Sequence, residues 1–196
     1  MVIPRFAKVF VCSGHMIDKP DRSDERFPPR QEKAVQAWMA ARLAEWGAGP
    51  GDLAVCGGAR GADLLFAELC AERGTEVWLM LPLPEAKFLD ESVRLPGTDW
   101  EDRYRRLKER PGVKVLLQPE RLDEAPAGAD VFARNNLWML DTARVEADDV
   151  KNLYALLVWD GEPTGDGPGG TSDFVARVEA LEDLGGHCEC VNPLKA

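Results

Sequence analysis

The chain has no run of 18 consecutive apolar residues, so nothing in it is expected to span a membrane. It has no excess of basic residues: 24 Lys+Arg against 34 Asp+Glu leave a net charge of −10. Binding to DNA or RNA relies on Lys and Arg neutralising phosphates, so nucleic acid is not an expected partner. Met1-Val2-Ile3-Pro4-Arg5 has no hydrophobic signal region. The cysteines are five, an odd number, and three of them (Cys12, Cys56, Cys70) lie inside apolar segments. Reduced thiols in a cytoplasmic protein are the expectation. Cys188 and Cys190 lack a second Cys/His pair, so no metal site is expected, and no cofactor is called for. No linker, repeat or low-complexity tract divides the 196 residues, which fit a single domain over 1–196.

What is present is an alternation of short apolar runs with amphipathic stretches. Residues 8–12, 53–56, 76–81, 113–117, 153–159 and 187–191 read as strands. Most are apolar on both faces, which marks parallel strands covered by helices on each side. Val35, Trp38, Met39, Leu43 and Trp46 make a helical stripe that Gly47 and Gly49 end. Residues 62–73 form a second helix stopped by Gly74. Trp100, Tyr104 and Leu107 mark a third, and Val131, Phe132, Asn135, Trp138 and Met139 a fourth. Phe174, Val178, Leu181 and Leu184 mark the last, ending at Gly185-Gly186. The order implies an α/β fold: a Rossmann-like, doubly wound, mainly parallel sheet with helices on both faces. The first and fourth strands are expected side by side near the switch point.

Ligands of such sheets bind beyond the carboxyl ends of the strands. The first strand runs into Ser13-Gly14-His15-Met16-Ile17-Asp18, where a small residue and a glycine let the chain turn close to a ligand. His15 reads as a hydrogen-bonded structural histidine. The second strand runs into Gly57-Gly58-Ala59-Arg60-Gly61-Ala62-Asp63. A glycine loop entering a helix exposes N–H groups beside partial positive charge, which suits phosphate. It is neither the G-x-G-x-x-G nor the Walker pattern. A second glycine loop, 165–170, leads into Thr171-Ser172-Asp173. Thr171 suits a helix cap or a phosphate oxygen, and Asp173 suits the positive end of a helix. Asn135 falls on a core-facing stripe and must find a partner, while Arg134 beside it is expected to reach an anion at the strand ends.

These residues together resemble the SLOG superfamily. That superfamily includes the lonely guy cytokinin-activating phosphoribohydrolases, the DNA-processing proteins of natural transformation, and nucleotide-ligand sensor domains. The resemblance covers nearly the whole chain. Residues 9–13 look like its first strand and ligand turn, and 57–63 like its first glycine loop. Phe132-Ala133-Arg134-Asn135 resembles its ligand-facing helix start, and Gly167-Pro168-Gly169-Gly170-Thr171 its Pro-Gly-Gly phosphate loop. The stretch from Ser13 to Asp18, with Arg26-Phe27-Pro28, resembles a subfamily often fused to signalling modules, which implies signalling partner proteins. The phosphoribohydrolases carry Pro-Gly-Gly-x-Gly-Thr-x-x-Glu; here Phe174 stands three residues after Thr171, where their catalytic Glu would be.

The resemblance implies a cytosolic domain that binds a nucleotide or nucleotide-derived ligand, as a sensor. Its alternative is an N-glycosidic hydrolase or transferase acting on nucleoside monophosphates. Expected ligand-binding residues are Ser13, Gly14, Gly57, Gly58, Arg60, Gly61, Asp63, Arg134, Asn135, Gly169, Gly170 and Thr171. Candidates for catalysis are Asp173, Arg134, Asp63 and Asp18. The apolar content allows a homodimer. The base, the phosphate count and the pathway are not legible.

Overall fold

The structure is a computed structural model that describes residues 5–119, 130–163, 169–181, 184 and 187–196. Six strands, β1 (Val9–Gly14), β2 (Leu53–Cys56), β3 (Glu76–Leu81), β4 (Val113–Leu117), β5 (Leu153–Val158) and β6 (Cys188–Val191), form one parallel sheet in the order β4-β3-β2-β1-β5-β6. Six α-helices flank it: α1 (Glu32–Glu45), α2 (Ala62–Glu72), α3 (Glu85–Phe88), α4 (Trp100–Lys108), α5 (Val131–Ala147) and α6 (Thr171–Glu179). No helix among the described residues is long and apolar enough to cross a membrane.

The strand pattern produces two cores by alternation. Phe10 and Cys12 of β1 face one side with α1, α2 and α4, while Val9 and Val11 face the other with α5 and α6. The same alternation sends Leu79 and Leu81 one way and Trp78 and Met80 the other. Each fully buried Leu, Val or Phe contributes roughly 1.5–3 kcal/mol, so both layers anchor the strand ends firmly. Gly47 and Gly74, at φ +64° and +81°, end α1 and α2 as left-handed residues after the last turn. The Gly185-Gly186 stop lies outside the described residues.

Two expectations need correction. The first strand does not lie beside the fourth: β1 sits between β2 and β5, and β4 is an edge. The chain runs outward from β1 through β2 and β3 to β4, then returns to the other side of β1 as β5. The physical cause is visible in composition. β4 and β6 each carry a charge amid their apolar residues, the exposed Lys114 and the half-buried Glu189. Charged residues blunt open edges, whereas the four inner strands are apolar on both faces apart from Glu76 at the start of β3. The second correction is local. Ser13 and Gly14 do not form a turn; they are the last residues of β1, paired with Leu157 and Val158 of β5. A short π-helical segment, Leu89–Val93, follows α3 and has no counterpart in the sequence pattern.

Candidate functional site

The switch point lies between β1 and β5, and a cavity of about 650 Å³ opens there beyond the strand ends. One wall is a strap formed by residues 15–28 between β1 and α1. The His15 amide donates to the Val158 carbonyl at 2.9 Å, and the His15 carbonyl accepts from Ala62 at 3.2 Å. Asp18 is buried, and its Oδ2 accepts the Arg26 and Phe27 amides, both at 2.9 Å; Arg22 Nε lies 3.5 Å from its Oδ1. The strap presses on α2 at Gly61. That residue has φ +95°, and a Cβ there would lie 2.5 Å from the Ile17 nitrogen. Only glycine permits this approach.

The 57–63 loop is folded around its own acid. Asp63, in the first turn of α2, receives the Ala59 amide on Oδ2 at 3.3 Å. Its Oδ1 is buried with no hydrogen-bond partner among the described residues. Burial pushes this carboxyl up to about 7; the amides of Ala59, Gly58 and Gly57 pull the other way. The Ala59 amide is thus turned to a carboxylate, and the Arg60 and Ala62 amides to the Ser92 and His15 carbonyls, rather than left for a phosphate. Gly57 and Asp63 line the cavity; Gly58 and Gly61 do not.

Arg60, just ahead of α2, is only 3% exposed and lines the cavity. Its amide donates to Ser92 and its Nε to the Ile17 carbonyl at 3.3 Å. Its two terminal nitrogens have no hydrogen bond or ion pair among the described residues. Burial lowers its pKa from the usual arginine value, and the charge of Asp18 opposes that. A guanidinium carries five donors in a planar fork matched to phosphate and carboxylate.

The opposite wall comes from β5, α5 and α6. Asp160 Oδ1 lies 3.1 Å from His15 Nε2, and Thr171 Oγ1 lies 3.4 Å from His15 Nδ1. The three tie the ends of β1, β5 and α6 together, as the structural reading of His15 anticipates. Burial alone would raise the Asp160 carboxyl; the Glu162 amide, His15 and Arg26 outweigh it and hold it below the ordinary value. Asn136 Nδ2 donates to the Gly169 carbonyl at 3.1 Å and to Asp173 at 2.9 Å, which braces the turn into α6. Gly169 itself admits no side chain: φ is +82°, and a Cβ would lie 2.6 Å from the Phe132 carbonyl carbon. The 165–168 part of the second glycine loop lies outside the described residues.

The cleft thus gathers Ser13, Gly14, Gly57, Arg60, Asp63, Asn135, Gly169, Gly170 and Thr171, together with Asp18. Arg134 is not among its lining residues; it is half-buried and donates to the Pro119 carbonyl at 3.2 Å. Asp173 also stands outside the lining, held by Arg177 and Asn136. Asn135 finds protein partners: it donates to the Met80 carbonyl at 2.8 Å and accepts from Gln118 at 3.3 Å. Reading the sequence missed Asn136, Arg22 and the wall after β3, where Pro82, Phe88 and Ser92 line the cavity. The strand-end rule applied to the first, second and fifth strands also covers the third, and would have found that wall.

A scan against protein-family models and a search of curated proteins both found no match to the chain.

Proposed function

We propose that this chain is a SLOG-type domain that holds a nucleotide or nucleotide-derived ligand in the switch-point cleft, with Arg60 as receptor for the ligand's anionic group. The observation that carries the reading is a buried arginine that lines a cavity while its terminal nitrogens have no protein partner among the described residues. Those terminal donors face the cavity rather than a protein acceptor, and a phosphate there would take charge-assisted hydrogen bonds from them. A cavity of about 650 Å³ is within the range of small-molecule sites. The five free thiols, three of them buried, suit a reducing cytoplasm. A sensor role, reporting ligand occupancy to signalling partners, follows from the same reading.

The test is a thermal-shift screen against nucleoside mono- and diphosphates and dinucleotides. A ligand at a hundredfold over its Kd stabilises by about 2.7 kcal/mol. That corresponds to about 5–10 °C for a chain of this size. The shift should vanish in Arg60→Gln; a shift that survives the substitution would refute the assignment.

One observation keeps the glycosidase reading as the second. Of the three candidate acids, Asp173 is tied to Arg177, and Asp18 is filled by two amides and Arg22. Asp63 lines the cleft with a carboxyl raised by burial to about 7, a value that suits acid–base chemistry. Release of free base from AMP at about 1 s⁻¹ or faster, lost in Asp63→Asn, would promote it over binding alone.

A further inference from the structure

We infer that Phe132 is a stacking platform for a planar ring of the ligand, a nucleobase, on the wall of the cleft opposite the strap. The inference rests on the binding reading above and assigns the uncharged end of the ligand whose anion Arg60 holds.

The overhang of α5 carries it. Asn135 Nδ2 donates to the carbonyl of Met80, the penultimate residue of β3, at 2.8 Å. The helix therefore meets the sheet at its second turn, and its first turn stands past the strand ends. Phe132 shares the sheet-facing stripe with Asn135 and Met139. Met139 has strands beneath it and is buried in the core. Phe132 comes one turn too early for that. It is half-buried, packs in neither core among the described residues, and lines the cleft. Its ring has no aromatic or cationic partner among the described residues. The turn into α6 packs against its root: a Cβ on Gly169 would lie 2.7 Å from the Phe132 Cβ. The fold thus fixes the base of this side chain and supplies no partner for the ring.

The lining of the cleft divides along the same line. Its charged residues, of both signs, come from the strap, the 57–63 loop and Glu91 of the π-helical segment. Among the described residues, α5 and the turn into α6 contribute no charge to it. An uncharged ring therefore loses the least hydration on the α5 wall, where its face buries apolar area against Phe132. Stacking accepts any base, because every base has a π face. The contact thus selects a planar ring and not one particular base. A saturated chain would bury the same apolar surface without stacking, and the experiment separates the two.

The experiment is calorimetric titration of the full chain with AMP, GMP, CMP, UMP and their diphosphates, and with ribose 5-phosphate, which carries the anion without the base. It is repeated on Phe132→Leu, which keeps apolar bulk without a ring, and on Phe132→Trp, which keeps a ring. Phe132 stands outside both cores, so both variants should melt like the wild type. Loss of a base–aromatic stack should weaken each nucleotide that binds by about five- to hundredfold in Phe132→Leu. Phe132→Trp should bind nucleotides at least as well as Phe132→Leu does and nearer to the wild type, and ribose 5-phosphate should not distinguish the three chains. Nucleotide affinity unchanged in Phe132→Leu overturns the inference and leaves the Arg60 reading standing. An equal loss for ribose 5-phosphate overturns it too, because the effect then lies in the fold and not in the ring. Failure of the wild-type chain to bind any nucleotide overturns both.

Discussion

The starts of α2 and α5 look alike in sequence and behave oppositely. Each sets an arginine and an acid at a helix entrance near the strand ends. At α2, Arg60 precedes the helix, beneath the strap, and its guanidinium is buried in the cleft wall. At α5, Arg134 is the fourth helical residue and turns outward to Pro119. The acids differ as well. Asp130 caps α5, taking the Phe132 and Ala133 amides at 2.8 and 3.2 Å on its exposed side chain. Asp63 is buried inside its own loop with one oxygen left over. A helix entrance is thus no site by itself; it becomes one where a second segment buries its charges against a cavity.

The largest effect separating the two entrances is the pH response of stability. The Asp63 carboxyl, raised to about 7, sits well above an unfolded aspartate at roughly 3.9. The folded chain then holds the extra proton between those values, so stability is full below about pH 4 and falls as pH rises to 7. Asp63→Asn removes that slope. Urea denaturation at pH 4 and 8 should show the variant gaining on the wild type by up to about 4 kcal/mol across the interval. Parallel pH curves would contradict the burial of Asp63. Next in size is Gly61→Ala, which meets both a positive φ and the Ile17 nitrogen; a loss of about 3 kcal/mol in the same assay is expected. Removing the α5 cap by Asp130→Ala should cost about 0.5–2 kcal/mol and leave ligand affinity unchanged. Smallest is Arg134→Gln, whose stability should stay within about 0.5 kcal/mol of the wild type by urea denaturation.

Much of this was legible in advance, and the misses have identifiable causes. All six strands could be read because the inner ones are apolar on both faces. Their order was misread because the charges of Lys114 and Glu189, which mark the edges, were not weighed. The cleft was located by glycines at strand ends, and Arg60 and Asp63 were named as ligand contacts. The outward direction of Arg134 was also present in the sequence. Phe132, Asn135 and Met139 share one stripe, and at about 100° per residue Arg134 stands some 200° round from Phe132. The self-filling of the 57–63 loop was not readable, because nothing in a string of residues says which acceptor a glycine loop will face. The same holds for Asn136, whose bracing of Gly169 depends on how α5 and α6 pack.

The central claim is that the anion meets Arg60 and not Arg134. It is tested by titrating the tightest-binding nucleoside phosphate of the thermal screen into the wild-type chain, Arg60→Gln and Arg134→Gln at one salt concentration. Arg60→Gln should weaken binding by about 1.5–3 kcal/mol, the scale of a hydrogen bond to a charged group, and Arg134→Gln by less than about 0.5 kcal/mol. A loss of that larger size in Arg134→Gln, with Arg60→Gln binding like the wild type, would contradict the account.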